Sequence, residues 1–443
     1  MDFFKLKQNN TTVTTEVLAG LTTFMTVAYI LAVNPGIMAA AGMDPAAVFT
    51  VTALCAFIGT MIMALLANYP FALAPGMGLN AYFAYTVAAK YGWELALMAV
   101  FTEGLIFIAM SLFSIREAIF EAIPQNMKYA VSVGIGLFIC FIGMRNGGLV
   151  VSSDATSVTL GSVQQAPVVL FLLGIILTVA LCIYQVRGAL FFGIIGTYVI
   201  GLVSQLLGFY VPNPDVGMYS LIPSGIIAMP PSFSSITLFS AMERIDFSLV
   251  TIFDFIAVVF AFLFVDIFDT IATMIGVSDK AGFLDKDGKL PRLKRALLSD
   301  AFATTIGATM GSSTVTTYVE SAAGVTAGAR TGLASVVTAF LFLAALFFWP
   351  LFSVIPAFAT APALVLVGLF MVQSVVKINF QDFDEGFPAF MAIVMMPFTY
   401  SIAEGLVFGT LSYVIFKVIN GKAKEVSFVM YIVAALFLIK LAV

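Results

Sequence analysis

The sequence predicts an all-α polytopic membrane protein with fourteen transmembrane segments arranged as an inverted repeat of seven and seven. Three observations lead there: an apolar composition, apolar stretches of crossing length that recur along the chain, and basic residues gathered on one side. Of 443 residues, 61% are hydrophobic and 10% charged, against roughly 25% charged in an ordinary soluble domain. No water-facing surface of normal size can be covered with so few charges, so the bilayer is the solvent.

Stretches of about 17 to 25 mostly apolar residues suit a helix crossing a hydrocarbon core of roughly 30 Å. They begin near Glu16, Ala46, Phe71, Trp93, Gln125, Ala166, Gly188, Thr251, Leu293, Ser312, Leu333, Thr360, Glu385 and Glu404. A last apolar run, Val426 to Val443, is either a further crossing or a helix lying on the membrane. Lys and Arg in short loops are retained on the cytoplasmic side. With the N-terminus inside, sixteen of the twenty basic residues fall on that side, among them Arg116, Lys286, Lys289 and Lys422. Only Lys90, Arg145 and Arg244 lie opposite, and Lys440 is in the last run. The reading is a multi-pass protein of the cell membrane with a cytoplasmic N-terminus. Its opening residues, MDFFKLKQNN, lack the features of a cleaved signal, so the first helix is expected to direct insertion.

Composition also restricts the chemistry. There is no histidine, and Cys55, Cys140 and Cys182 have no metal-ligand spacing, so they read as packing residues. An enzyme would need a site built from Ser, Lys or carboxylates alone. No enzyme activity, metal, cofactor or nucleic-acid partner is expected.

Two segments depart from plain apolar helix. The third, YPFALAPGMGLNAYFAYTVA from Tyr69, is interrupted by Pro75, Gly76 and Gly78, since Pro lacks an N–H and Gly is permissive. The tenth, GSSTVTTYVESAAGVTAG from Gly311, carries the β-branched run Thr314 to Thr317, which favours extended chain. Each reads as a short extended stretch followed by a half-helix. Such backbone is tolerated at membrane depth only where protein buries it or it lines a cavity, and in transporters paired broken helices form the binding site. Small residues also serve plain close packing; the polar residues beside them favour a site.

A carboxylate in mid-membrane costs roughly 2.5–3.5 kcal/mol and is functional by default. Asp254, Asp266 and Asp269 lie on the eighth segment, Asp300 on the ninth, Glu320 on the tenth, Glu103 on the fourth and Glu404 at the start of the fourteenth. Asp254 and Glu404 read as end or turn residues, while Glu103 and Asp266 fit packing or function. Asp266, Asp269 and Thr273 share a helix face by spacing. Glu320 opens a half-helix, where the dipole stabilises negative charge, and Asn80 holds the corresponding place in the third segment.

The run TTYVESAAG from Thr316, continuing into AGARTGL at Ala327, resembles the signature of the AzgA-like purine permeases, a branch of the nucleobase–cation symporter (nucleobase–ascorbate transporter) family. So do AGLTTFMTVAYI from Ala19, APGMGLNAYFAY from Ala74, FDT at Phe268 and ATAPALVLVGLFM from Ala359. The resemblance implies a core domain of helices one to four (14–113) and eight to eleven (250–350). It implies a gate domain of helices five to seven (125–208) and twelve to fourteen (355–420), with 425–443 as an extra apolar segment. It further implies proton-coupled import of purine nucleobases, adenine and/or guanine and hypoxanthine, by alternating access in a homodimer. Asp269 and Glu320 become the principal base-binding carboxylates, with Asn80, Ala81, Thr273, Tyr318 and Val319 around them. Uracil-transporting relatives carry a histidine one turn after the eighth-helix acid, where this chain has Thr273. Any proton therefore falls to a carboxylate: Asp269, Asp300 or Glu320. Phe71, Tyr82, Phe83 and Tyr318 are candidates for an aromatic wall. The competing readings are an anion transporter of the same general fold and a purine-binding membrane sensor.

Overall fold

The computed structural model describes residues 3–113, 122–213, 218–245, 250–285 and 290–442. Arg116, Lys286 and Lys289, counted above as cytoplasmic, lie outside them. The chain is mostly helical. The first apolar stretch folds as α1 (Val13–Val27) and α2 (Ile30–Ala39), and the turn between them tightens, with Leu31 and Ala32 donating to the carbonyls of Ala28 and Tyr29. Asp44 then caps α3 (Pro45–Ile62) by accepting from the amides of Ala46 and Ala47.

A short strand, β1 (Leu73–Pro75), leads into α4 (Met77–Ala81), which continues through a wider π-helical stretch, Tyr82–Ala88. There follow α5 (Trp93–Leu112), α6 (Gln125–Asn146), the antiparallel hairpin β2 (Val150–Ser153) and β3 (Ser157–Leu160), α7 (Ala166–Ile183) and α8 (Ala189–Leu206). Next come α9 (Ile252–Ala281), which starts with a capping box between Thr251 and Asp254, and α10 (Leu293–Met310). The strand β4 (Val315–Thr317) precedes α11 (Ser321–Thr326), and the chain closes with α12 (Gly332–Ala345), α13 (Ala357–Val372), α14 (Phe383–Phe398), α15 (Ile402–Ile419) and α16 (Phe428–Ala442).

Among the described residues, ten helices are long and apolar enough to cross a bilayer. They fall on the first, second, fourth to eighth, eleventh, twelfth and fourteenth of the expected stretches. The other four differ for physical reasons. The third and tenth are strand plus short helix, α10 carries Lys294, Arg295 and Asp300, and α14 has 16 residues with Asp384 and Glu385 in its first turn. The final run forms α16, whose 15 residues rise only about 22 Å at roughly 1.5 Å each. Its Phe437 packs edge-on against Phe260 and Phe264 of α9. Just before it, the buried Lys417 ammonium reaches Glu425 at 3.0 Å, Glu385 at 3.2 Å and Asp384 at 3.5 Å. The Asp384 carboxylate also lies 2.8 Å from Lys422 and holds that ammonium above the ordinary lysine range.

In the middle of the bundle, β1 and β4 pair antiparallel, with Leu73 opposite Thr317 and Pro75 opposite Val315. Every strand residue is buried. A two-stranded ribbon inside a membrane protein leaves two open edges whose polar groups must find partners. Two threonines close them in the same way. Thr60 of α3 donates to the Leu73 carbonyl at 3.0 Å and accepts from the Leu73 amide at 2.9 Å. Thr304 of α10 donates to the Val315 carbonyl at 2.9 Å and accepts from the Val315 amide at 3.2 Å.

Glu16 of α1 is fully buried, and its carboxylate accepts from the amides of Arg330 (2.9 Å), Ala334 (3.2 Å) and Thr331 (3.4 Å). A side chain on the first helix thus caps the start of α12. Glu16→Ala leaves these donors without a buried acceptor, each costing about 1–3 kcal/mol. The expected result is a lower thermal midpoint of the detergent-solubilised protein, whereas Glu16→Gln, which keeps one acceptor, loses less.

Candidate functional site

The ribbon delivers the polar side chains to one place. Glu320 lies three residues beyond β4 and occupies the residue before α11, half-buried. Its Oε1 accepts a 2.8 Å hydrogen bond from the hydroxyl of Tyr29, at the junction of α1 and α2. Asp269 of α9, also half-buried, meets β4 itself: the Thr316 hydroxyl donates to its Oδ2 at 3.5 Å. The charge of Glu320 is felt at Asp269, and among the described residues no Lys or Arg hydrogen-bonds to either carboxylate. Two half-buried carboxylates beside a ribbon can accept hydrogen bonds from a neutral or cationic ligand rich in N–H, and they disfavour an anion.

Tyr318, whose ring lies 6.4 Å from that of Tyr29, ties the two strands together. Its hydroxyl donates to the Pro75 carbonyl at 2.5 Å and its amide to the Ala72 carbonyl at 2.9 Å, so it bolts β4 to β1. Asn80 is fully buried; its amide nitrogen donates to the Pro75 carbonyl at 3.2 Å, and its oxygen accepts from the Ser313 hydroxyl. Both ends of that amide are engaged within the protein. Ala81 is buried beside it in α4. Val319 is 51% exposed, immediately before Glu320, and Thr273 sits half-buried a turn beyond Asp269.

Asp266 and Asp269, expected to share a helix face, take different hydrogen-bond partners in the folded chain. Asp266 is fully buried and accepts from the Thr270 hydroxyl at 2.7 Å, and the same hydroxyl lies 3.2 and 3.3 Å from the carboxylate oxygens of Asp300. Asp266 and Asp300 therefore meet across the α9–α10 contact, while Asp269 meets the strand. Glu103 accepts from Thr314 at 2.8 Å, just before β4. Asp254 belongs to its capping box and accepts from Tyr91 at 3.0 Å, and Glu404 stands in the first turn of α15, where its amide meets the Ser401 cap. Of the expected aromatic wall, Phe71 stacks on Tyr69 at 5.0 Å and Tyr82 packs edge-on against Phe262 at 4.8 Å, with Phe83 fully buried. A cavity of about 490 Å³ lies elsewhere, among Val33, Phe49, Tyr85, Asn146 and Trp349; neither Asp269 nor Glu320 lines it.

Space at the ribbon is tight. A methyl group on Gly76 would come within 2.7 Å of the Thr316 hydroxyl that faces Asp269, and one on Gly324 of α11 would strike Thr23 of α1. Sequence reasoning missed Tyr29, Thr60, Thr304 and Ser313. The threonines and Ser313 carry no signal of their own, since hydroxyls are common in membrane helices where they bond to the preceding turn.

A family model described as the Permease family matches residues 14–408. The chain belongs to this family. It is the nucleobase–ascorbate transporter family that the sequence motifs resemble, so the chain is a permease and not an enzyme. Relatives match this permease over almost its whole length. The guanine/hypoxanthine permease PbuO of Bacillus subtilis is 44% identical, covering 99% of this chain and 99% of its own. The adenine permease AdeQ of Escherichia coli is 39% identical, covering 99% of this chain and 95% of its own. Among solved structures, the transmembrane domain of the cyanobacterial bicarbonate transporter BicA superposes with a TM-score of 0.61 at 15% identity, covering 88% of this permease and 97% of that chain. That likeness is one of fold.

Proposed function

We propose that this permease imports purine nucleobases across the cell membrane, with Asp269 and Glu320 accepting hydrogen bonds from the ring and exocyclic N–H groups of the base. The observation that carries this reading is the pair of half-buried carboxylates flanking β4, neither of them hydrogen-bonded to a basic side chain among the described residues. A purine is flat, neutral and rich in N–H, and a carboxylate is the strongest acceptor a protein can offer it. The names of the relatives PbuO and AdeQ, a guanine/hypoxanthine and an adenine permease, support the same substrate class. An anion, as in the fold neighbour that carries bicarbonate, would meet two like charges. The remaining residues divide by task. Thr273 and Val319 border the base, while Asn80, Ala81 and Tyr318 hold the ribbon that borders it.

In this reading the chain makes fourteen crossings as an inverted seven-plus-seven repeat, the third and tenth broken at β1 and β4. The matching way in which Thr60 and Thr304 close the two strand edges supports such a pseudo-two-fold relation. Residues 14–113 and 250–350 form the core and 125–208 and 355–420 the gate; the N-terminus is cytoplasmic and two copies pair through their gates. Transport proceeds by alternating access, the core carrying the base past the gate. A proton accompanies it on a carboxylate, with Asp269, Glu320 and Asp300 as the candidates.

Uptake of radiolabelled adenine, guanine, hypoxanthine and xanthine by cells lacking their own purine permeases tests the claim. Accumulation of at least one base is expected; no uptake of any of them would sink it. Collapsing the pH gradient with a protonophore is expected to abolish accumulation above the external concentration. Accumulation that survives would remove the proton coupling and leave the substrate class standing.

A further inference from the structure

Tyr29 is one of the most buried large side chains in the protein, 1% exposed, yet it does more than fill space. It stands where α1 gives way to α2, and its hydroxyl donates to Glu320 Oε1 at 2.8 Å. A phenol hydroxyl has a single hydrogen, and here that hydrogen is committed to the carboxylate. The Tyr318 ring lies 6.4 Å from the Tyr29 ring, and Thr26, one turn earlier on α1, places its hydroxyl 3.3 Å from the Glu320 carbonyl, so α1 also reaches the Glu320 backbone. Glu320 itself follows a strand fixed by ladder bonds, so backbone and side chain are both oriented before any ligand arrives.

We propose that Tyr29 is a positioning and specificity-determining residue, which acts through Glu320 by occupying one carboxylate oxygen and leaving the other to the base. This rests on the reading that Glu320 binds a purine. Two consequences follow from the chemistry. Without the hydroxyl, Glu320 loses its orientation, and a base that offers a single N–H to it binds more weakly. Conversely, the freed oxygen becomes a second acceptor, so a base presenting two adjacent N–H groups recovers part of the loss. Guanine, with its ring N–H beside an amino group, has such an edge; hypoxanthine, lacking the amino group, has only the ring N–H.

The test is the initial rate of guanine and of hypoxanthine uptake by the full-length protein, with Tyr29→Phe compared to the parent at measured membrane abundance. The expected result is a KM for hypoxanthine raised about tenfold, the scale of one charge-assisted hydrogen bond, with a smaller rise for guanine and little change in maximal rate. The ratio of the two KM values therefore shifts toward guanine, which a mere packing defect would not produce. Tyr29→Leu serves as a second variant without the hydroxyl. An unchanged KM, an unchanged ratio, or a fall in maximal rate alone would overturn the proposal. So would failure of both variants to reach the membrane, which would mark Tyr29 as a packing residue. If the parent protein transports neither base while carrying another purine, single-donor and double-donor analogues of that purine replace the pair. If the parent carries no purine, the underlying functional reading fails instead.

Discussion

Glu320→Ala is expected to reduce purine uptake by about 100-fold while leaving the protein in the membrane at its normal abundance. The size follows from chemistry. A hydrogen bond to a charged group contributes about 1.5–3 kcal/mol, and losing the carboxylate that accepts it from the base, at the upper end of that range, removes about 3 kcal/mol, or two powers of ten in affinity. The retained abundance follows from the fold. The ladder between β1 and β4 and its closure by Thr60 and Thr304 do not use the Glu320 side chain, whose hydrogen-bond partner is the Tyr29 hydroxyl. Glu320→Gln is the sharper version. It preserves shape and still offers Tyr29 an oxygen, but it presents an amide donor where the base needs an acceptor, so it should be nearly as damaging. Wild-type uptake by the Gln variant, measured with surface labelling in parallel, would remove Glu320 from the site.

Asp269→Asn is the second large effect expected, again a loss of about 100-fold, the upper end for one charge-assisted bond. Its hydrogen bond from Thr316 is long, 3.5 Å, so little of the fold depends on it. Asp269→Glu keeps the charge but advances it by one methylene into the strand, where Gly76 already sits tight against Thr316; partial activity is expected. Full activity of the Asn variant, with Glu320→Ala inactive, would leave one acid rather than two holding the base.

The acids were legible in the sequence because a charge in an apolar stretch is costly and conspicuous. Asp269 and Glu320 could be singled out without coordinates, and the strand-like composition of Thr314 to Thr317 marked the backbone beside one of them. Their common neighbourhood came only through the family resemblance and not from the residues themselves, for it arises from pairing between residues as far apart as Leu73 and Thr317. Nor was the division of labour legible on α9, where Asp266 turns to Thr270 and Asp300 while Asp269 turns to β4. Three-residue spacing permits one face, and what the spacing cannot tell is that the two acids take different hydrogen-bond partners. Tyr29 was hidden for a different reason. Within MTVAYILAV an aromatic residue looks like any other apolar one, and only a partner contributed by a distant helix gives its hydroxyl a meaning. The β2–β3 hairpin escaped because its turn is built from Asp154 to Thr156, with Ser157 rather than Gly at positive φ, so the usual glycine signal is missing.

The ribbon also bears on how the molecule is made. Its first strand leaves the ribosome about 240 residues ahead of the second, which at roughly 5–20 residues per second is a delay of some tens of seconds. Until β4 arrives, the inner edge of β1 has no ladder partner, although Thr60 on the helix just before it can already close the outer one. The early half of the chain must therefore wait in the bilayer with a break at its centre. Water, lipid headgroups or the insertion machinery has to satisfy that edge in the meantime. Closing of the ribbon joins strands from distant parts of the chain, so the place where the permease is proposed to hold its cargo is also a place where early and late segments become one protein.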